Sequence, residues 1–371
     1  MPVPARAVLV KGMRSLTDDL RITGQRPLLA PAMLAGELPA DETVQRFVAQ
    51  SRRAVEAVLA GTDDRLLVVV GPCSVHDPEA ALDYAQQLRA TAARLASDLL
   101  LVMRVYFEKP RTIGGWKGLI NDPDLDGSFK INKGLQLARR LLLDVARLGL
   151  PAGTEFLDTI FGQYFADLVA WGGIGARTTE SQIHRELASG LSMPVGFKNR
   201  TDGDVQVAVD AIRAARLPHW FPSLTKEGAP AILSTSGNPF AHLVLRGGAR
   251  SGPNYGGAAV QSALTLLGQA GLQPTVMIDC SHANSGKDPA RQPLVAAAIA
   301  EQVAAGETGI TGVMLESHLV GGRQDLSPAG GLIYGKSVTD GCLALVDTLP
   351  VLEMLATAAL RRRSAVPPPT N

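Results

Sequence analysis

Three cysteines (Cys73, Cys280 and Cys342) in 371 residues are too few for a disulfide framework, so the core must hold the fold in a reducing compartment. Aromatic residues are scarce too, at 5% against 46% hydrophobic residues in all, which predicts an extensive, mostly aliphatic core. Neither sign of charge prevails. With 36 Lys and Arg against 35 Asp and Glu, net charge supports neither a nucleic-acid partner nor a membrane surface. No uncharged apolar stretch reaches the roughly 18 residues of a membrane-spanning helix. The first residues, MPVPARAVLVKGMRSLTDD, lack a convincing apolar segment with a cleavage site, so a cytoplasmic location is expected.

What the chain has, from residue 66 onward, is rhythm. Short aliphatic runs at 66–74, 99–107, 151–156, 171–177, 194–198, 242–248, 274–282 and 311–318 alternate with helix-like stretches. Nearly continuous apolar runs of this length fit parallel strands buried on both faces. After the first run, DPEAALDYAQQLRATAARLA offers Asp77 as a helix cap and Pro78 at the first helical position. Eight strands with mostly helical crossovers predict an α/β fold, a TIM (β/α)8 barrel, over residues 66–348.

Residues 1–65 read as an N-terminal extension, an arm followed by a helix capped by Asp41 and running to about Gly61. The stretch 218–241 reads as an inserted β-hairpin. Residues 349–371 read as a C-terminal helix, which Pro350 is expected to break, and a disordered tail.

Each aliphatic run ends on a residue with usable chemistry: Cys73, Arg104, Glu155, Arg177, Lys198, Arg246, His282 and Glu316. In a TIM barrel those ends build the active site. Arg104, Arg177, Lys198 and Arg246 would bring four cations to one pocket and repel each other unless an anion fills it. Glu155 is left between orienting a cation or a water and forming a structural ion pair.

Alone, Cys73 reads as an inert buried thiol, and no compact CxxC or HExxH spacing points to a metal. Grouped with His282, Glu316 and Asp340 it becomes part of a donor set suited to a divalent ion such as Mn, Fe, Co or Zn. His76 and His184 read as local hydrogen-bonding residues. The loop 108–130 is long and Gly-rich for a connector, and Lys109, Arg111 and Thr112 at its start suit a second anion. Two cation groups beside one metal favour a condensation over a hydrolysis.

The segments GPCSVHDP, MRVYFEKPRT, GWKGLINDP, IGARTTESQIHRELASGLSMPVGFKN, LRGG, MIDCSHANS, GVMLESHLV and YGKSVTD resemble one family throughout. It is the microbial class I, aromatic-regulated type of 3-deoxy-D-arabino-heptulosonate 7-phosphate (DAHP) synthase. The resemblance implies a metal-dependent TIM barrel that condenses phosphoenolpyruvate with D-erythrose 4-phosphate, releasing phosphate, in the first step of the shikimate pathway. It implies Cys73, His282, Glu316 and Asp340 as metal ligands. It implies Arg177, Lys198 and Arg246 around the phosphoenolpyruvate phosphate, Arg104 and Lys198 near its carboxylate, and Glu155 beside it. Lys109, Pro110, Arg111 and Thr112 correspond to the erythrose 4-phosphate site.

The resemblance further implies a homo-oligomer, dimer or tetramer, and feedback inhibition by an aromatic amino acid. The inhibitor region would include Ser192 and Gly162, the latter standing where the family usually has proline. Two alternatives compete: 3-deoxy-octulosonate 8-phosphate synthase, and a regulatory or specialised-metabolism paralogue. The KPRT motif and the long extension argue against the first. The four intact metal positions argue against a regulatory paralogue.

Overall fold

Aliphatic runs without polar alternation become parallel strands in the computed structural model, which describes residues 16–326 and 331–365. They are β1 (Leu66–Gly71), β2 (Leu99–Arg104), β3 (Ala152–Glu155), β4 (Trp171–Ile174), β5 (Val195–Lys198), β6 (Ala241–Leu245), β7 (Val276–Asp279) and β8 (Ile310–His318). Each pairs with the next, and β8 returns to β1 with Val68 opposite Val313 and Val70 opposite Leu315. The sheet closes into the TIM barrel.

Strand alternation divides the apolar residues between two cores. Leu67 and Val69 of β1 join Val102, Val244, Met277 and Met314 inside the barrel, while Leu66, Val68 and Val70 pack outward under the helices. Trp171 is the largest side chain of the interior cluster. Gly196 makes room for it, since a Cβ there would sit 2.6 Å from the indole. The Trp171 Nε1 donates to Nε2 of buried His242 at 3.1 Å. Trp171→Ala would cost about 3–5 kcal/mol.

The outer helices are α1 (Pro31–Glu37), α2 (Glu42–Ala60), α3 (Pro78–Arg94), α4 (Ile131–Arg147), α5 (Gly162–Phe165), α6 (Gln182–Gly190), α7 (Gln206–Ala215), α8 (Gly257–Gln269), α9 (Gln292–Ala304) and α10 (Leu345–Ala365). Asp41 caps α2, accepting from the Val44 N–H at 2.9 Å, and Gly61 ends it in the left-handed conformation at φ 75°. Val55, Val58 and Leu59 of α2 join the interior cluster. Asp77 likewise caps α3, with Pro78 in its first turn.

Pro350 does not break the last helix. It lies inside α10, where its missing N–H frees only the carbonyl of Val346, a residue 70% exposed whose carbonyl water can serve. The tail residues 366–371 and the first 15 residues lie outside the described residues.

The stretch after α7 is the expected antiparallel hairpin, Trp220–Leu224 against Pro230–Ser234, with Phe221 opposite Leu233. The Ala32 N–H donates to the Lys226 carbonyl at 2.6 Å, and the Tyr164 hydroxyl to the Leu29 carbonyl at 2.6 Å. These bonds lace the N-terminal segment to the hairpin and barrel wall. Among the described residues no helix is long and apolar enough to cross a membrane.

Candidate active site

The strand ends converge on a cleft of about 350 Å³ lined by Arg104, Glu155, Arg177, Lys198, Arg246, His282 and Asp340. The loop after β2 adds Lys109, Pro110, Arg111 and Thr112 to the same wall. Cys73 and Glu316 lie just behind it, both fully buried.

The cations do not play one role. Arg246 is buried, yet its Nε has no hydrogen-bond partner. Burial, together with the neighbouring Arg177, pulls its guanidinium below the ordinary value. Asn199 holds it in place, its Oδ1 accepting the Arg246 backbone N–H at 2.8 Å. A buried, unpaired donor beside a second guanidinium is relieved by an anion. Lys198 is instead ion-paired to Asp279 at 3.0 Å. Burial alone would raise the Asp279 carboxyl, but Lys198, His282 and Arg104 outweigh it and hold it well below the usual range.

Arg104 lines the cleft, but most of its donors are committed inward. They reach the Pro72 carbonyl at 3.0 Å, the Cys73 carbonyl at 3.2 Å and Glu316 Oε1 at 2.9 Å, while the guanidinium lies 3.6 Å over the Tyr106 ring. Arg104 therefore ties the ends of β1 and β8 together. Removing either partner of this buried pair would cost about 3–5 kcal/mol.

The Cys73 thiol and one oxygen each of Glu316 and Asp340 lie within 4.8 Å of one another. Burial, then Glu316, push the thiol up, and the Lys109 ammonium donates to its sulfur at 3.0 Å. Burial opposes ionisation of Asp340 as well, but Lys109, His282 and Lys287 hold it below the usual carboxylate value. A soft thiol with two hard carboxylates, converging where negative charge already draws a cation, fits a divalent metal ion.

His282 stands outside that trio. It borders the same cleft, with Nδ1 turned to the Ser281 hydroxyl at 2.7 Å, so Nε2 is the nitrogen available to a metal. β7 ends at Asp279, and His282 adopts a left-handed φ of 55°. Cys280 and His282 therefore lie beyond the strand, and Cys280 is buried in the outer core.

Three supporting residues escaped the sequence reading: Asp279, Asn199 and Gln292. The Gln292 amide brackets the backbone of Glu316, accepting its N–H and donating to its carbonyl, each at 2.9 Å. Asp279 and Asn199 lay inside the quoted MIDCSH and GFKN segments, and a charged or amide residue next to a strand end was the available signal. Gln292 had none, being 24 positions from its partner. His184 hydrogen-bonds locally, to Ser181 at 2.9 Å and the Leu157 carbonyl at 2.8 Å. His76 differs: its Nδ1 is buried without a partner.

A second cavity, about 730 Å³, opens outside the barrel between α2, α5, the end of α6 and the inner face of the hairpin. Gly162 and Ser192 both line it. Val48, Leu187, Phe221 and Leu233 supply apolar wall, and Arg52, Asp167 and Lys226 its charges.

A profile described as the DAHP synthetase I family matches residues 41–352. A Phe-sensitive phospho-2-dehydro-3-deoxyheptonate aldolase from Escherichia coli K12 is 56% identical over 351 residues, covering 95% of this chain and 100% of the relative. A tyrosine-inhibited phospho-2-dehydro-3-deoxyheptonate aldolase from Schizosaccharomyces pombe is 51% identical over 350 residues, covering 93% of this chain and 94% of the relative. The solved structure of phospho-2-dehydro-3-deoxyheptonate aldolase from Francisella tularensis superposes with a TM-score of 0.89 at 52% identity, over 92% of this chain and 99% of that one.

Proposed function

Since this chain belongs to the DAHP synthetase I family, we propose how its strand ends divide the work of the condensation it catalyses. In that reaction C3 of phosphoenolpyruvate adds to the C1 aldehyde of erythrose 4-phosphate, water adds at C2, and phosphate leaves to give DAHP. This is the first step toward chorismate and the aromatic amino acids.

The observation that carries the division is the unpartnered Nε of buried Arg246, across one cleft from the group of Cys73, Glu316 and Asp340. Arg177, Lys198 and Arg246 hold the phosphoenolpyruvate phosphate, with Lys198 and Arg104 toward its carboxylate and Glu155 beside it. Arg111 and Thr112 take the sugar phosphate, with Lys109 and Pro110 along the chain. Cys73, Glu316, Asp340 and His282 hold one divalent ion, from among Mn, Fe, Co and Zn. Such an ion supplies Lewis-acid polarisation of the aldehyde or activation of the water. The Arg and Lys side chains offset the repulsion between two multiply charged anions and fix the reacting carbons face to face.

The cavity under the hairpin suits an aromatic amino acid. Its apolar walls fit a ring, Arg52 and Lys226 a carboxylate, and Asp167 an ammonium. The two relatives above carry Phe and tyrosine in their names as effectors. Self-association as a dimer or tetramer is supported by the outer face of the hairpin, where Trp220 is 73% and Ile232 74% exposed. Three buried free cysteines suit a cytoplasmic setting.

Turnover with added Mn²⁺, comparing erythrose 4-phosphate with arabinose 5-phosphate and repeated with Phe, Tyr and Trp, tests the whole reading. DAHP formation from the four-carbon sugar, lowered by one aromatic amino acid, is expected. Preference for the five-carbon sugar would overturn the substrate assignment.

A further inference from the structure

Asp279 ends β7 with a fully buried carboxylate on which two halves of the site meet. Its Oδ2 lies 3.0 Å from the Lys198 ammonium and 2.9 Å from His282 Nδ1, as charge contacts without an aligned hydrogen bond. Its Oδ1 accepts from the Ser281 backbone N–H at 2.9 Å and from the Ser281 hydroxyl at 2.6 Å. A hydroxyl has one proton, and this one goes to Asp279. The same oxygen is 2.7 Å from His282 Nδ1, so toward the ring it can only accept. The imidazole proton therefore sits on Nδ1, and Nε2 keeps its lone pair.

The turn agrees with this chain of bonds. His282 holds a left-handed φ of 55°, a conformation that a residue with a side chain keeps only where its surroundings over-determine it. Asn284 helps, its amide donating to the Asp279 carbonyl at 2.8 Å and closing the loop back on β7.

We propose that Asp279 is the positioning residue joining the metal and phosphoenolpyruvate halves of the site. Through Ser281 it sets the His282 ring with Nε2 presented to a divalent cation; through Oδ2 it anchors the Lys198 ammonium. This rests on the assignment of His282 and Lys198 made above.

Asp279→Asn keeps the volume and removes the charge. Mn²⁺ binding to the metal-free protein, followed by the resonance of free Mn²⁺, should weaken about 10- to 100-fold, as when a histidine ligand loses its supporting carboxylate. At saturating Mn²⁺, KM for phosphoenolpyruvate should rise while KM for erythrose 4-phosphate stays put; a general loosening of the fold would move both. Asp279→Glu, which restores the charge, should recover part of the Mn²⁺ affinity. Parental Mn²⁺ affinity in folded Asp279→Asn overturns the proposal.

The parent protein offers a test that needs no variant. With six histidines in the chain, ¹⁵N-histidine labelling of the metal-free protein should show His282 protonated at Nδ1, and a proton at Nε2 would overturn the proposal. His282→Ala tells the two failures apart. If it binds Mn²⁺ as the parent does, the ligand assignment itself has failed; if it loses Mn²⁺ and Asp279→Asn does not, only the role of Asp279 has.

Discussion

The cleft at the strand ends, about 350 Å³, is walled by cations and carboxylates, whereas the larger cavity under the hairpin, about 730 Å³, mixes aliphatic and aromatic wall with three charged residues. The cleft takes mostly one residue from each strand end, and barrel closure forces those ends together. The cavity is assembled from two adjacent barrel crossovers, residues 159–167 and the end of α6, and is completed by α2 and the hairpin, which lie outside the strand-and-crossover repeat. On the proposed assignment, chemistry sits at the strand ends and control on a surface that the additions complete.

The largest expected effect is on the cleft alone. Cys73→Ser should lower turnover by roughly 10³-fold, the several kcal/mol that a metal contributes to a developing charge. Binding of the inhibitory amino acid, measured by calorimetry on the same variant, should be unchanged. Coupled loss of both would break the separation.

Next comes the anion wall. Arg246→Ala should reduce kcat/KM for phosphoenolpyruvate about 10- to 150-fold, the equivalent of a charge-assisted bond worth about 1.5–3 kcal/mol. Near-parental kinetics would remove Arg246 from the site.

The mirror experiment is Ser192→Phe, which fills the cavity under the hairpin. Uninhibited turnover should stay at the parental rate while inhibition by the aromatic amino acid disappears. Retained inhibition would move the regulatory site elsewhere.

The smallest effect probes a contact between the two regions. Glu108 begins the loop after β2 that carries Lys109 to Thr112, and its carboxylate accepts from the Asp158 N–H at 3.3 Å, next to the cavity wall. Burial, reinforced by Asp158, pushes Glu108 up to about 8. Its folded value thus lies above the unfolded one near 4.3, so the fold favours the protonated acid. That stability is complete below the unfolded value and is lost as pH rises toward 8. Glu108→Gln should match the parent near pH 4 and exceed its Tm by a few degrees above pH 8. A constant gap across that range would refute the shift.

The barrel was legible because both-face burial writes itself into uninterrupted aliphatic runs, and helix caps such as Asp41 and Asp77 act within their own turn. The strand-end side chains were legible for the same reason: each follows its run directly. Pro350 misled because proline's local cost is met by an exposed carbonyl, which only the packing of α10 reveals. Asp279 was hidden because nothing local marks a strand-end carboxylate as a hub rather than the last polar residue of its run.

By itself, then, the amino-acid order determined the closed eight-stranded barrel and the kind of side chain at each of its ends. Burial pattern and capping are properties of neighbours in the chain. Only the tertiary structure decided which charges are spent and which are free. Arg104 is neutralised by Glu316, 212 positions away, while the Nε of Arg246 is left without a partner. It also decided that Gly162 and Ser192 share one cavity with the hairpin. Charge pairing and cavity shape depend on distances between residues remote in sequence, and those distances exist only once the sheet has closed.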